Sequence, residues 1–218
     1  MLRINVVTIF PDFFAAPLAL SIPSRAKDAG GVQYHVADLR DFTHDRHRTV
    51  DDAPFGGGPG MVMKPGPFFE AVEALGATSP VVLMSARGKH FTHADAVRFS
   101  QGTELTLLCG HYKDVDQRVA DFLATEELSL GDFVLSGGEP AALAVIDATV
   151  RLLPGAMSDL ESARTDSFYD RELSAPSYTR PAVFREHAVP DVLISGDHKK
   201  IAEWREQEGK RLSAQRKP

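Results

Sequence analysis

The sequence predicts an α/β protein, with a mainly parallel sheet flanked by helices and a smaller helical piece after it. Three observations carry that reading. Apolar, β-branched runs of strand length alternate with helix-like stretches of roughly 10–15 residues, the pattern of βαβ units. The alternation stops near Pro154. At 218 residues, 43% hydrophobic and 25% charged, the chain can bury a core without metal or disulfide staples. Disorder, collagen and coiled coil are excluded as whole-chain readings.

The strand runs are Ile4–Phe10, Val32–Val36, Val81–Ser85, Leu105–Cys109 and Phe133–Leu135. They are rich in Val, Ile, Leu and Phe, as strands buried on both faces should be. Helices are expected at Phe13–Asp28, Gly66–Leu75, Thr92–Phe99, Val115–Leu123 and Glu139–Leu153. The last carries Leu143, Ile146, Val150 and Leu153 at spacings of three and four, which line one helix face. Residues 155–181 are polar, broken by Gly155, Pro176 and Pro181, and aperiodic. A stretch that long inside a compact domain is either functional or a linker. A short strand (Val192–Ser195) and a basic helix (His198–Arg211) follow. The expected division is a main domain over 1–157, a linker over 158–177 and a small C-terminal domain over 178–218.

Composition narrows the class. No apolar run reaches the length of a membrane helix. The apolar N-terminus is cut short by Pro11-Asp12 with no cleavage site beyond, so it reads as a buried strand and not as a signal peptide. Cys109 is the sole cysteine, which forbids an internal disulfide and points to a reducing, cytoplasmic compartment. The net charge of −6 is uneven: residues 199–217 hold seven Lys or Arg against three Glu, leaving −10 on the rest. A basic tail on an acidic body fits either local contact with a polyanion or a solvated helix face.

Three strand exits carry glycine: Ser85-Ala86-Arg87-Gly88, Cys109-Gly110-His111-Tyr112, and Gly131 through Gly137-Gly138-Glu139. Ligands of open α/β sheets bind at such exits, and glycine lets a ligand approach the backbone. Three in succession point to a nucleotide-like ligand held by main chain. Neither a G-x-G-x-x-G nor a G-x-x-x-x-G-K-[ST] run is present, so dinucleotide and P-loop readings lose support. Ser136 lacks a nucleophile elbow, and Cys109 sits in an apolar strand as a small hydrophobe. His44 and His47 lack a second ligand pair for zinc, so no metal site is assigned. The irregular stretch from Asp38 to Met63 clusters His, Arg and Asp before Gly56-Gly57-Gly58-Pro59-Gly60, unusual for a mere connector. By composition alone, Ser162 to Asp170 could be a spacer.

Taken together, Arg40–Asp52, Gly56–Met61, Gly131–Glu139, Thr165–Phe168, Pro176–Pro181 and Ser195-Gly196 with Trp204-Arg205 resemble the bacterial tRNA (guanine-N1)-methyltransferase family, in its order and spacing over nearly the whole chain. The resemblance implies a SPOUT fold whose chain is threaded into a deep trefoil knot, an exception to ordinary connection rules. It implies a homodimer with the active site at the subunit interface, S-adenosylmethionine as methyl donor, and tRNA with guanosine at position 37 as substrate, with neither DNA nor membrane as partner. Carried over by motif, the cofactor residues are Leu83, Met84, Ser85 and Gly88 on the first exit and Gly110 on the second. On the third they are Leu130, Gly131, Asp132, Phe133, Val134, Leu135, Gly137 and Gly138. Asp166 takes the role of the base that removes the N1 proton, and Arg151 the role of the cation that meets charge developing on O6. Arg25, Arg46, His47, Arg48 and His111 are the implied tRNA contacts.

Two departures from the family pattern stand out. After Cys109-Gly110 the family reads Arg-Tyr-Glu-Gly, its glutamate linked to a magnesium ion, whereas this chain reads His111-Tyr112-Lys113-Asp114. Lys113 cannot ligate Mg²⁺, leaving Asp114 as the substitute or the metal requirement weaker. His111 brings a group whose charge changes near neutral pH. The chain also ends at Pro218, where many relatives continue through further helices, so tRNA affinity is expected to suffer more than cofactor binding. The competing readings are another SPOUT methyltransferase with a different RNA target, and a catalytically silent RNA- or nucleotide-binding module.

Overall fold

The computed structural model describes residues 1–157, 166–169 and 172–216. It divides into two compact units, Met1–Ser158 and Asp159–Pro218. The first runs β1 (Leu2–Thr8), α1 (Ala15–Leu18), α2 (Ser21–Asp28), β2 (Val32–Asp38), β3 (Asp51–Asp52), β4 (Val62–Met63), α3 (Pro65–Ala74), β5 (Val81–His90), α4 (His93–Ser100), β6 (Glu104–Cys109), β7 (Asp114–Val115), α5 (Gln117–Phe122), β8 (Glu126–Ser129) and α6 (Glu139–Val150).

Five strands form one sheet in the order β2-β1-β6-β5-β8, and every pairing in it is parallel. Side chains alternate across a strand, so a central strand needs apolar residues at both parities. Val82 and Met84 accordingly join one core with Leu105, Leu107 and α6 residues Val145 and Ile146. Val81 and Leu83 join the other, with Leu108, Val119 and α3 residues Phe68 and Val72. Helices therefore cover both faces. A smaller three-stranded sheet, β3-β4-β7, ties the irregular segment before α3 to the exit of β6.

Three expected elements differ. Phe133–Leu135 is not a strand; Phe133 and Val134 are 54% and 87% exposed, and the strand is β8, just before them. Glu126 and Glu127 hid it. An edge strand tolerates charge, and Glu126 pairs there with Arg98 at 2.9 Å and Lys89 at 3.2 Å. The expected helix Phe13–Asp28 is broken into a 3₁₀ turn (Pro11–Phe14), α1 and α2, with Ser21, the first residue of α2, at a φ of 51°. Val192–Ser195 is likewise not a strand but the end of a short helix, α7 (Asp191–Ile194), because three adjacent apolar residues carry no period.

In the second unit, residues 183–184 and 187–188 form a hairpin whose two turn residues, Arg185 and Glu186, both have positive φ, as a type I′ turn requires. The long helix α8 (His198–Gln215) starts where the Asp197 carboxylate accepts the Lys200 amide at 3.2 Å. Its basic residues are partly neutralised along the helix, Lys200 by Asp197, Lys210 by Glu206 and Arg211 by Glu208. Among the described residues, no helix is long and apolar enough to cross a membrane.

At the amino ends of the strands, Glu104 is 6% exposed. It accepts from Arg3, from Asn5 at 2.8 Å, and from the amide (2.9 Å) and hydroxyl of Thr78. Burial opposes its charge, but the Thr78, Arg3 and Asn5 hydrogen bonds outweigh that and hold the carboxyl below its ordinary value. A depressed carboxyl contributes stability above its unfolded pKa, and that contribution is lost as pH falls through the folded value. Glu104→Ala is expected to cost about 2–3 kcal/mol by strandling these donors. Glu104→Gln should flatten part of the acid limb of stability. Urea titration from neutral pH down to the carboxylate range checks both; unchanged stability in Glu104→Ala would refute the assignment.

Candidate active site

Because the five strands are parallel, their carboxyl ends share one edge, and the exits of the adjacent strands β6, β5 and β8 converge there. They enclose a cleft of about 260 Å³. Its walls are the β5 exit (Leu83 to Arg87), the β6 exit (Gly110 to Val115), the β8 exit (Leu128 to Leu130, then Phe133 to Ser136) and the start of α6 at Gly137, Gly138 and Ala141.

Two glycines set how closely these walls approach. Met84 and Lys89 both pair with Leu128, so residues 85–88 bulge out of β5 and return. At the return a Cβ on Gly88 would lie 2.4 Å from the Glu127 carbonyl carbon and the Leu128 nitrogen. On the other wall a Cβ on Gly138 would lie 2.8 Å from the Cys109 Cα. The Gly138 amide there donates to the Gly110 carbonyl at 2.9 Å, fixing the start of α6 against the end of β6. Gly138→Ala must push α6 outward. We expect a stability loss of about 1–3 kcal/mol, typical of overpacking, with the cleft's affinity for a ligand reduced much more than stability. Calorimetry beside a thermal melt checks this, and unchanged affinity would refute it.

Buried polar groups near the ends of β1 and β6 are engaged or neutral. Glu139 is buried, and its Oε1 accepts the Thr8 hydroxyl at 2.7 Å. Burial, aided by the Glu139 charge, pushes the Cys109 thiol well up, so it stays a protonated hydrophobe and not a nucleophile. The mouth is cationic. Arg87 grips Asp114 with two hydrogen bonds of 2.8 and 3.2 Å, and Lys113 lines the same side.

Most of the residues named as cofactor contacts meet at this cleft: Leu83, Met84, Ser85, Gly110, Leu130, Phe133, Val134, Leu135, Gly137 and Gly138. Gly88, Gly131 and Asp132 do not line it. Gly88 packs on β8, Gly131 turns the chain, its carbonyl accepting the Phe133 amide at 2.9 Å, and Asp132 pairs with His90 at 3.1 Å. His111, expected as a tRNA contact, also lines the cleft. Its ring lies edge-on to Phe10 at 5.0 Å, and its Nδ1 is buried without a hydrogen-bond partner. Arg87, which falls within the first glycine exit, and Lys113 and Asp114, which the sequence marks as a departure from the family's metal-linked run, line the cleft as well. Their position beside glycine exits was the available signal.

The other candidates of the first unit, Arg25, Arg46, His47, Arg48 and Arg151, do not line the cleft. Arg151 caps the carboxyl end of α6, about 15 Å along the axis from Ala141, the helix residue that lines the cleft. Arg25 is exposed on α2, and Arg46, His47 and Arg48 are exposed in the segment before β3. Arg48 is engaged, pairing with Asp41 and, at 3.8 Å, with Asp38. Thr49 hydrogen bonds hold the neighbouring Asp45 below its ordinary pKa and shape this loop. In the second unit, Asp166 opens a turn in which its carbonyl accepts the Tyr169 amide at 3.4 Å and Phe168 has a φ of 72°. Asp166 lines a hollow of about 930 Å³ with Leu173, Tyr178 and Arg205. The Arg216 guanidinium lies over the Phe168 ring, 4.6 Å from its centroid.

A parallel α/β sheet with a glycine-lined cleft at its strand exits defines a small-ligand-binding protein of the open-sheet class. Comparison with known proteins specifies it. The family described as tRNA (Guanine-1)-methyltransferase TrmD matches residues 2–218. A tRNA (guanine-N(1)-)-methyltransferase of Geobacillus kaustophilus (strain HTA426) is 45% identical over 220 residues, covering all of this chain and 90% of the relative. That of Gloeobacter violaceus (strain ATCC 29082 / PCC 7421) is 48% identical over 223 residues, covering all of this chain and 97% of the relative. That of Synechococcus sp. (strain JA-3-3Ab) is 47% identical over 209 residues, covering 95% of this chain and 83% of the relative. The chain belongs to the tRNA (guanine-1)-methyltransferase family.

Proposed function

We propose that this protein transfers a methyl group from S-adenosylmethionine to N1 of guanosine at tRNA position 37, next to the anticodon, supporting reading-frame maintenance in the cytoplasm. The observation that carries this reading is the convergence of three motif-bearing strand exits on one cleft, in a chain that matches the family from end to end. The cleft fits such a cofactor: Leu83, Leu130, Leu135 and Ala141 offer apolar walls to a heterocycle, and the glycine exits bring main chain within reach of its polar edge. When bound, S-adenosylmethionine supplies an electrophilic methyl group on a sulfonium.

This chain's residues supply the rest. Guanine N1 carries a proton, so a base must take it, and Asp166 holds that role in our reading. As the proton leaves, charge spreads onto O6, where a fixed cation lowers the barrier, and Arg151 is that cation. Its distance along α6 from the cleft supports a homodimer in which Arg151 serves the cleft of the second copy. The target base leaves the anticodon-loop stack to reach the site, guided by Arg25, Arg46 and His47. In this reading the knotted threading of SPOUT proteins follows from the family match over residues 2–218.

The test is methyl transfer from labelled S-adenosylmethionine to two unmodified transcripts, one with guanosine at positions 36 and 37, the other with adenosine at 37. Transfer to the first alone is expected. Equal transfer to both would identify a different target base. Transfer to neither, with cofactor bound, would favour the silent binding module.

A further inference from the structure

Magnesium, which the family resemblance implies beside the run after Gly110, does not fit the donors found there. Lys113 presents an ammonium where a carboxylate would be needed, and a metal ligand must offer a lone pair. The neighbouring Asp114 carboxylate is clamped by Arg87 through both oxygens. Among the described residues, no group of three or more His, Cys, Asp or Glu side chains is placed to hold a metal ion.

The lysine is not a loose surface residue. Its amide donates to the Met61 carbonyl at 3.1 Å, joining β7 to the segment that leads into β4. Its stem lies against Gly60, where an added Cβ would meet the Lys113 Cβ and Cδ at 3.1 and 3.3 Å. Nζ reaches Gly58, 3.8 Å from the position of a Cβ there. Gly58 and Gly60 therefore form a floor along which the side chain extends beside the cleft. Asp114, the nearest acid in sequence, is already neutralised, so the ammonium keeps its charge available to a ligand.

We propose that Lys113 supplies, as a fixed part of the protein, the positive charge that a divalent ion would bring to this side of the cleft, and that methyl transfer by this chain needs no protein-bound Mg²⁺. The inference rests on the methyl-transfer reading. An ammonium is a point charge that offsets developing negative charge without ligand exchange.

The experiment must separate the protein's need for a metal from that of folded tRNA. Cobalt(III) hexammine supports RNA folding electrostatically but cannot exchange its ligands. Initial rates are measured with tRNA folded in Mg²⁺ or in cobalt hexammine, for wild type and Lys113→Glu, with melting curves confirming that both proteins fold. Wild type should turn over at rates within about threefold in the two media, whereas Lys113→Glu should be slowed by at least about tenfold in cobalt hexammine and recover in Mg²⁺. A tenfold or greater loss for wild type in cobalt hexammine would overturn the proposal. A second readout does not depend on activity: Mn²⁺ is titrated into each protein with S-adenosylmethionine and no RNA, and free Mn²⁺ is followed by electron paramagnetic resonance. Wild type should leave the metal free, and stoichiometric binding by wild type would again overturn the proposal. If neither protein transfers methyl in either medium, the methyl-transfer reading fails while the Mn²⁺ titration still decides the metal question.

Discussion

Asp166→Asn is expected to lower the methyl-transfer rate by about 10²–10⁴-fold, the range for loss of a positioned general base. Asparagine keeps the shape and can still accept a hydrogen bond, but it cannot take the N1 proton. If Asp166 is the base, kcat falls, the affinity for S-adenosylmethionine stays within about twofold, and the rising limb of the pH–rate profile that reports the base disappears. If Asp166 only organises the turn at residues 166–169, KM for tRNA rises instead and the pH limb persists. Single-turnover rates across pH, paired with calorimetry of cofactor binding, separate the two. Near-normal turnover in Asp166→Asn would sink the assignment.

Arg151→Ala is expected to cost about 10²–10³-fold in kcat, the usual range for removing one group that stabilises developing charge. Its placement allows a sharper test. Arg151 sits at the far end of α6 from its own cleft, so in the homodimer proposed above each arginine is expected to serve the cleft of the other copy. Mixing Arg151→Ala with Gly138→Ala under conditions that exchange subunits should then restore activity. The mixed dimer contains one intact cleft, and the arginine facing it comes from the other copy. If each arginine served its own cleft, neither site in that dimer would be whole and no activity would return. Absence of recovery, with mixed dimers demonstrated by differently tagged copies, would refute the shared site.

Much of the fold was legible because its signals are local. The central strands β1 and β6 and the first half of β5 are buried on both faces and therefore read as largely apolar runs, interrupted only by residues such as Asn5 and Thr106, and α3 and α4 lie within a residue or so of where periodicity put them. Elements whose identity depends on neighbours were misread. β8 begins with two glutamates and counts as a strand only because β5 supplies its hydrogen bonds and Arg98 and Lys89 meet the Glu126 charge. Phe133 to Leu135 look like a strand, yet they leave the sheet edge and stand exposed at the rim of the cleft. The face of α6 is likewise centred on small residues: Ala142 and Val145 are fully buried while Leu143 is only partly so, because the helix packs close to the sheet.

The candidate site divides along the same line. Glycine at three strand exits, a single apolar cysteine and the collinear motifs were properties of the sequence by itself, and they were enough to name a ligand class and a family. Which of those residues face a common space was not, because that depends on strands distant in sequence becoming neighbours in the sheet. Only the tertiary structure turned Asp132 away toward His90, brought His111 into the cleft beside Phe10, and separated Arg151 from the glycine exits by the length of a helix. It also decided the charge at the mouth. Arg87 and Asp114 lie 27 positions apart in the chain and meet only because β5 and β6 are adjacent, and that meeting leaves Lys113 as the cation on offer.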